Sequence, residues 1–207
     1  MNSPHFALIY GGDLVDTSNI DILKNQIWTT RTSRVNAEKR IMEKEHFTEN
    51  INIYYSCLLV IYSIIPFVCS KIRLGFVTLF LTVLLTISIV YIKGLKYKER
   101  ARDYRKNYTE LQKLEFRLSH IKTDEELCKS EIENEYCKLL DSTENHISFD
   151  YYKTVMESSG EYKKNRLTTG LKRKYIWGVT WRFTIKMLIV ILPIVLALFS
   201  FLVSYHG

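Results

Sequence analysis

The stretch LGFVTLFLTVLLTISIVY, from Leu74 to Tyr91, contains no Asp, Glu, Lys or Arg. Two further stretches share this property, INIYYSCLLVIYSIIPFVC from Ile51 to Cys69 and MLIVILPIVLALFSFLVSY from Met187 to Tyr205. About 20 helical residues cross the roughly 30 Å hydrocarbon core of a bilayer, whereas helices of small soluble domains keep one polar face. The sequence therefore predicts an all-α membrane protein with three transmembrane helices rather than a soluble helical bundle.

The overall composition hides this organisation. Charged residues make up 25% of the 207 residues and the mean hydropathy is -0.06, as in an ordinary soluble protein. The charges are concentrated in two blocks, Lys24 to Glu49 and Lys93 to Lys174. We therefore expect a chain of five segments. They are a short N-terminal segment (1–17), a cytoplasmic helix (18–50), a transmembrane hairpin (51–92), a cytoplasmic helical region (93–174) and a C-terminal transmembrane helix (175–207).

Basic residues crowd one end of each apolar stretch. They are Arg31, Arg34, Lys39 and Arg40 before the first, Lys93, Lys96, Lys98, Arg100, Arg102 and Arg105 after the second, and Lys163, Lys164, Arg166, Lys172, Arg173 and Lys174 before the third. Such residues accumulate on the cytoplasmic side of a membrane. The N-terminus and the central helical region are therefore expected in the cytoplasm, and the short C-terminus outside. The net charge of +7 is explained by this placement, so no duplex nucleic acid is expected as a partner.

No motif in the chain indicates a metal site, a cofactor or catalysis. The five histidines and four cysteines form no HExxH, CxxC or other ligand spacing, and neither a Walker loop nor GxGxxG is present. We therefore expect no metal, no cofactor and no enzymatic activity. Cys128 and Cys137 are expected to be small buried side chains, because a reducing cytoplasm argues against a disulfide.

The second apolar stretch carries hydroxyl groups on one helical face. The residues with this spacing are Gly75, Thr78, Thr82 and Thr86, and a weaker stripe on the first stretch is Asn52, Ser56 and Ser63. Hydroxyls facing a common axis in several copies could line a hydrated ion pathway. Small and hydroxylated residues also pack membrane helices against one another, so the sequence leaves both roles open.

The charged blocks carry helical apolar periodicity. One helix is predicted to start near Ile20, capped by Thr17 or Ser18, and to run into the first apolar stretch. After the hairpin, an apolar stripe consists of Tyr104, Tyr108, Leu111, Leu114, Leu118 and Ile121. Because a short turn makes the two spans antiparallel, we expect this stripe to pack on the first helix. A capping box from Thr123 to Glu126 predicts a further helix that folds back and ends within Asp141 to Asp150.

Two cations stand at the entrance of the third apolar stretch. Arg182 and Lys186 lie one turn apart among aromatic residues, and we expect them to extend towards the lipid headgroups, with a cationic vestibule as the alternative. The basic residues of the cytoplasmic blocks could also bind a phosphate-bearing ligand or anionic lipid. Acidic residues alternate with them at helical spacing, so the sequence favours a solvated face held by salt bridges.

Four segments of the chain resemble a known family. They are IWTTRTSRVNAEKR at 27–40, YKERARDYRKNYTELQKL at 97–114, YCKLLDSTENHISFDYY at 136–152 and TWRFTIK at 180–186. Together they resemble the SLATT-domain family of bacterial two-span membrane effectors, which are associated with nucleotide-signalling antiphage systems. The resemblance implies a channel or membrane-disrupting role at the bacterial inner membrane. The third span departs from the two-span plan.

Within the resemblance, two motifs supply candidate coupling or ligand residues. The first motif contributes Arg31, Arg34, Asn36, Glu38 and Arg40, and the second contributes Glu99, Arg100 and Arg105. Both motifs leave the membrane on the same side on antiparallel helices, so we expect them to face each other. They would then form a cytoplasmic layer that transmits a signal to the spans.

Two functions remain in competition on the sequence alone. One copy has too few helices to enclose a pore, so the favoured function is a homo-oligomeric pore in the bilayer. A nucleotide or oligonucleotide made by a partner nucleotidyltransferase would control it. The alternative is a non-conducting membrane adaptor that presents a helical docking platform.

Overall fold

The computed structural model describes residues 19–68, 74–120, 126–160 and 166–206, and within these ranges it contains no β-strand. The main helices are α1 (Asn19–Val68), α2 (Gly75–Gly94), α3 (Tyr97–Leu118), α4 (Glu126–Asp141), α5 (Ser148–Glu157) and α6 (Thr169–His206). Three helical segments, one of them C-terminal, are long and apolar enough to cross a membrane. The predicted all-α membrane fold is confirmed.

The longest element is α1, whose 50 residues form one continuous helix. At 1.5 Å per residue it extends for about 75 Å. It begins next to the predicted start at Ile20, while the proposed caps Thr17 and Ser18 lie outside the described residues. Residues 19–50 of α1 together with α3, α4 and α5 are called the stalk below. Residues 51–68 of α1, α2, and residues 187–206 of α6 are called the membrane half.

The apolar stripe of α3 packs on the first part of α1, as predicted. One buried cluster of the stalk consists of Leu23, Ile27, Leu111, Leu114, Leu118 and Ile132, and a second consists of Ala37, Ile41, Ala101 and Tyr104. Ile132 belongs to α4, which folds back on α3 as expected. The expectation of a buried Cys137 is wrong, because the inner face of α4 is occupied by Ile132, Tyr136 and Leu139 and the thiol is exposed. The side chain of Cys128 lies outside the described residues.

The segment after α4 contains a helix that the sequence analysis missed. Asp141 ends α4, as predicted, but Ser148 already begins α5. The carboxylate of Asp150 accepts a hydrogen bond from the backbone N–H of Ile147 at 3.1 Å, which satisfies a free amide at the start of this helix. The predicted capping box at Thr123 lies in the undescribed part of the chain.

Tyrosines of α1 attach the third span to the first. The hydroxyls of Tyr54, Tyr55 and Tyr62 donate to backbone carbonyls of α6 at 3.1, 2.8 and 3.2 Å. The acceptor of Tyr55 is Ile189, four residues before Pro193. Proline has no N–H to bond that carbonyl, so the tyrosine supplies the missing donor. A proline inside α6 is therefore accommodated by a hydroxyl from its neighbour.

Candidate functional site

Buried polar side chains separate the two apolar clusters of the stalk. This polar layer consists of Ser33, Arg34, Asn36, Asn107 and Thr154, contributed by α1, α3 and α5, and all five residues are buried. Buried polar groups are costly unless they are hydrogen-bonded. The partners of these residues therefore define how the stalk helices are held together.

Arg34 is fully buried and binds the end of α4. Its Nη1 donates to the carbonyl of Leu139 at 2.9 Å and to the side-chain oxygen of Asn107, and its Nη2 donates to the carbonyl of Leu140 at 3.1 Å. The last carbonyls of a helix lack intrahelical donors and carry partial negative charge, so they suit a cation. Burial lowers the pKa of Arg34 from its usual value, but a guanidinium stays protonated in proteins. Arg34 therefore caps α4 from the neighbouring α1.

The connection between α4 and α5 is held from α3 as well. Asn107 donates from Nδ2 to the carbonyl of Leu139 at 2.7 Å. The hydroxyl of Tyr104 donates to the carbonyl of Asn145 at 3.1 Å, and burial raises the pKa of this tyrosine to about 12. The phenol thus remains a donor at neutral pH. Arg100 pairs with Glu144 at 2.8 Å on the exposed side of the same connection.

A bidentate ion pair attaches α5 to α1. Nε of Arg40 lies 2.8 Å from one oxygen of Asp150, and Nη2 lies 3.0 Å from the other. The two side chains are 9% and 1% exposed. One turn away on α1, Nδ2 of Asn36 donates to the hydroxyl of Thr154 at 3.0 Å, and Ser33 lies 3.1 Å from the same hydroxyl. The inner face of α5 is thus bonded to α1 by charge and by hydroxyl groups.

The opposite side of α5 contacts α6 through one aromatic ring. The ring of Phe149 stacks on Tyr175 with centroids 5.3 Å apart, and the guanidinium carbon of Arg182 lies 3.6 Å from its centroid. A Cβ atom on Gly178 would lie 2.9 Å from this ring, so glycine permits the close approach of the two helices. Therefore α5 links the polar layer of the stalk to the helix that continues as the third span.

The remaining predicted coupling residues form ion pairs of differing exposure. Glu38 pairs with Arg105 at 2.5 Å, which joins the two motifs. Arg31 pairs with Glu115 at 2.8 Å, farther along α3. Glu99 lies on the surface, 3.2 Å from Lys96. The two motifs thus face each other at Glu38 and Arg105, and Arg34 bonds Asn107 of the second motif as well as the end of α4. Asn36 and Arg40 of the first motif turn towards α5 instead.

Residues 16–199 match the family described as SMODS and SLOG-associating 2TM effector domain family 5, or SLATT_5. The chain belongs to this family. The match covers the stalk, the hairpin and most of α6. The family description names a two-span membrane effector domain, and this SLATT_5 chain has a third helix apolar and long enough to span. No curated protein and no solved structure matches the chain.

In this SLATT_5 chain the hydroxyl stripe of α2 does not pack within one copy. Thr82 and Thr86 are exposed, and Thr78 is partly buried. Each hydroxyl donates to a backbone carbonyl one turn earlier, at 2.7 to 3.0 Å. Ser56 and Ser63 of α1 are also exposed and donate to carbonyls of their own helix at 2.8 and 2.7 Å. The side of α2 that packs against the other spans is centred on Leu81 instead.

Several residues of the SLATT_5 stalk site were missed by sequence reasoning. Asn107 and Asp150 lie inside quoted segments, yet a single polar residue in a charged helix gives no sign of burial. Phe149 resembles any other aromatic residue in the chain. Asp150 caps α5 at the backbone N–H of Ile147, but isoleucine is not a capping residue, so no capping-box signature marks this helix in the sequence. No group of His, Cys, Asp and Glu suited to a metal ion occurs among the described residues.

Proposed function

We propose that the protein is an oligomeric membrane effector that conducts ions under the control of a nucleotide-type signal. The observation that carries the proposal is the exposed hydroxyl stripe of Thr82 and Thr86 in an otherwise apolar span. Packing within one copy does not use this stripe, so it is available to face neighbouring copies. Several copies around an axis would turn it into a polar lining without fixed charge.

The threonine hydroxyls keep acceptor capacity for passing cations. Each hydroxyl donates its hydrogen bond to a backbone carbonyl, and its oxygen retains lone pairs that can accept. The rest of the outer face of α2 is lipid-compatible, with large apolar residues exposed on it. They are Phe76, Leu79, Phe80, Val83, Ile87 and Val90. A polar stripe beside an apolar face is the arrangement that a pore-lining helix requires.

Two connections carry a stalk rearrangement to the membrane half. The continuous α1 passes from the polar layer into the first span without a break. The helix α5 contacts α1 through Arg40 and contacts α6 through Phe149. A cytoplasmic signal that changes the packing of α4 and α5 would thus reach two spans at once. The family's association with SMODS and SLOG supports a nucleotide or oligonucleotide made by a partner enzyme as this signal. The signal must bind the open and closed states unequally.

Ion leakage from liposomes tests the pore. The purified chain is expected to release small cations when a candidate nucleotide is added. The variant Thr78→Val/Thr82→Val/Thr86→Val keeps the side-chain shape and should lower the flux about tenfold or more, because each step through an apolar constriction lacks polar contacts. Thr109→Val removes a hydroxyl with the same bond to its own helix in the stalk, outside the spans, and should leave flux unchanged.

The competing function is a non-conducting adaptor anchored by its spans. The observation that favours it is that every threonine hydroxyl of the stripe is satisfied by its own helix, as occurs in membrane helices without a pore. Unchanged flux in the triple valine variant would reject the threonine lining. A protein that assembles in the membrane but stays electrically silent with every nucleotide would establish the adaptor.

The coupling is tested by neutralising Arg34 and Arg100 together. Arg34 holds the last turn of α4 and Arg100 holds Glu144 after it, so Arg34→Gln/Arg100→Gln should release this connection. Growth arrest of cells expressing the variant should then no longer depend on the trigger. Arg117→Gln removes an exposed pair with Glu135 on the far part of α4 and serves as the control. Trigger dependence that survives in the double variant would contradict the coupling.

A further inference from the structure

We propose that Lys44, Arg182 and Lys186 form a phosphate-binding site between α1 and α6, at the membrane end of the stalk. The inference deepens the proposed function, on which it rests for its biological role, by naming a ligand class. The binding itself does not require conduction, so it is tested separately. We call these three residues the cation site.

Aromatic rings hold the cation site between the two helices. Arg182 lies over the ring of Phe149, and Nζ of Lys186 lies 5.1 Å from the centroid of Phe47. On α1, Phe47 follows Lys44 by three residues, so both lie on the same side of that helix. Arg182 and Lys186 are partly buried against these rings, so their side chains turn inwards.

The charges of the cation site are not balanced by neighbouring carboxylates. Asp150 is buried and acts on the charges of Lys44 and Arg182, but Arg40 occupies both of its oxygens, and buried Glu45 pairs with Lys98. Arg100 is likewise paired with Glu144. Glu43 is close enough to act on the charge of Arg182, but no ion pair joins them. Within the described part of the chain, none of the three cation-site residues forms an ion pair with a carboxylate.

The neighbouring cations repel one another at Lys44. The side chain of Lys44 is largely exposed, yet partial desolvation, followed by the guanidinium groups of Arg40, Arg182 and Arg100, lowers its pKa, while Asp150 acts in the opposite direction. Burial and the charge of Arg40 lower the pKa of Arg182 in the same way. Three arginines from α1, α3 and α6 therefore act on one amine that has no ion-pair partner. An anion placed among them would relieve this repulsion.

The position and donor set of the cation site match a phosphate group. Lys44 precedes Ile51 by seven residues and Arg182 precedes Met187 by five, so both lie about 10 Å or less from the expected hydrocarbon core. The headgroup layer extends about 5 to 7.5 Å beyond the hydrocarbon core, and long lysine and arginine side chains reach into it from these positions. Two ammonium groups and one guanidinium suit phosphate oxygens. The phosphodiester of an anionic lipid and the phosphates of a soluble nucleotide share this chemistry. Occupation by either would pull α1 and α6 together.

Chemical labelling of the wild-type chain tests the site without a variant. The rate of acetylation of Lys44 is compared in nanodiscs with that of Lys106, which is exposed like Lys44 but lies outside the cation site, and each site is quantified by mass spectrometry. Three conditions are used: phosphatidylcholine alone, phosphatidylcholine with phosphatidylglycerol, and phosphatidylcholine with inorganic pyrophosphate. A ligand well above its Kd leaves a small free fraction, so labelling of Lys44 should slow about tenfold while Lys106 is unaffected.

The conditions distinguish the two sources of phosphate. Protection by phosphatidylglycerol alone identifies a lipid headgroup site, and protection by pyrophosphate identifies a site open to soluble phosphates. No protection of Lys44 in either condition overturns the proposal. Equal slowing of Lys44 and Lys106 also overturns it, because it indicates general surface charge. Since no ion flux is measured, these results stand apart from success or failure of the pore.

Two variants of α6 complete the test. Arg182→Gln removes one cation of the site and should abolish the protection of Lys44. Lys172→Gln removes an exposed cation of the same helix and should preserve it. Helix content by circular dichroism verifies that each variant is folded. If Arg182→Gln does not fold, the protection of Lys44 in the wild-type chain remains the test of the site. Full protection of Lys44 in folded Arg182→Gln would overturn the assigned site.

Discussion

The stalk and the membrane half satisfy their polar groups in different ways. In the stalk, Arg34, Arg40 and Asn107 are buried and bonded to other helices of the same copy. In the membrane half, Thr82 and Thr86 are exposed and bonded only to their own helix. These three stalk side chains are therefore held within one copy, whereas the two threonines of the membrane half present hydroxyl oxygens that only neighbours or lipid can contact. This difference separates the part that holds a conformation from the part that gains its role by assembly.

Among the predicted variants, the largest loss of stability is expected at Asp150 in the stalk. Asp150→Asn leaves the charge of Arg40 buried without its partner and weakens the start of α5. Loss of one member of a buried pair costs about 3 to 5 kcal/mol of the free energy of unfolding. Thermal unfolding in detergent, followed by circular dichroism, measures it. Wild-type stability in this variant would show that the pair does not hold the stalk.

The exposed pair of Arg100 and Glu144 provides the matched control. Both side chains are more than a third exposed, at 37% and 42%. Solvent screens such pairs, so Glu144→Gln should cost at most about 1 kcal/mol. A double variant, Arg40→Met/Asp150→Leu, removes both buried charges and should recover much of the loss seen in Asp150→Asn.

Two glycines of α6 test the packing that links the stalk to the membrane half. In Gly178→Ala the new Cβ would lie 2.9 Å from the ring of Phe149, so the ring must move and about 1 to 3 kcal/mol should be lost. Gly170→Ala places its Cβ in open space on the same helix and should gain about 0.5 to 1 kcal/mol. Unfolding temperatures of the two variants should therefore move in opposite directions. Equal shifts would mean that α5 and α6 are not closely packed there.

A pH effect of intermediate size should be confined to the stalk. Nδ1 of His146 is buried without a hydrogen-bond partner, and burial lowers the pKa of this histidine, with Arg34 and Arg40 acting in the same direction and Asp150 against them. The unfolded chain then binds a proton before the folded one does. Stability should fall as pH drops below about 6.5 and should be unaffected by this group above it. His146→Gln should flatten the dependence of unfolding temperature between about pH 7.5 and pH 5.5. An equally steep dependence in the variant would exclude His146 as its source.

The smallest effect is expected where α2 gives way to α3. Lys96 has a φ of 49°, in the left-handed region that L-residues avoid at a cost of about 1 kcal/mol. Lys96→Gly relieves this cost and should raise stability by at most about 1 kcal/mol. Lys106→Gly, at an exposed position inside α3, should lower it by a similar amount. Destabilisation by Lys96→Gly would show that the turn is not strained.

The sequence predicted what depends on periodicity and length. The three charge-free stretches predicted the spans. The three- and four-residue spacing from Tyr104 to Leu118 predicted the packing of α3 on α1. The start of the first helix near Ile20 also follows from local signals. These features depend on repeated patterns, in which many residues report the same structure.

The partners within the stalk were not predictable in the same way. Arg34 and Arg40 were selected as candidates and expected opposite α3. In the structure Arg34 bonds both Asn107 of α3 and the end of α4, whereas Arg40 pairs with α5. Whether a charged side chain points outwards or inwards depends on one long-range partner, Asp150 in the case of Arg40. Local periodicity contains no information on such a contact, and α5 itself is too short to show a clear pattern.

The hydroxyl of Tyr55 has a consequence for biogenesis. Translation produces the third span after the hairpin, and its proline leaves the Ile189 carbonyl without a donor in lipid. The carbonyl gains its hydrogen bond only when the newly inserted third span contacts the first span, which is already in the bilayer. This hydrogen bond directs the third span to the hairpin of its own chain. In a polypeptide truncated before the third span, the tyrosine hydroxyls of the first span would lack these carbonyl acceptors.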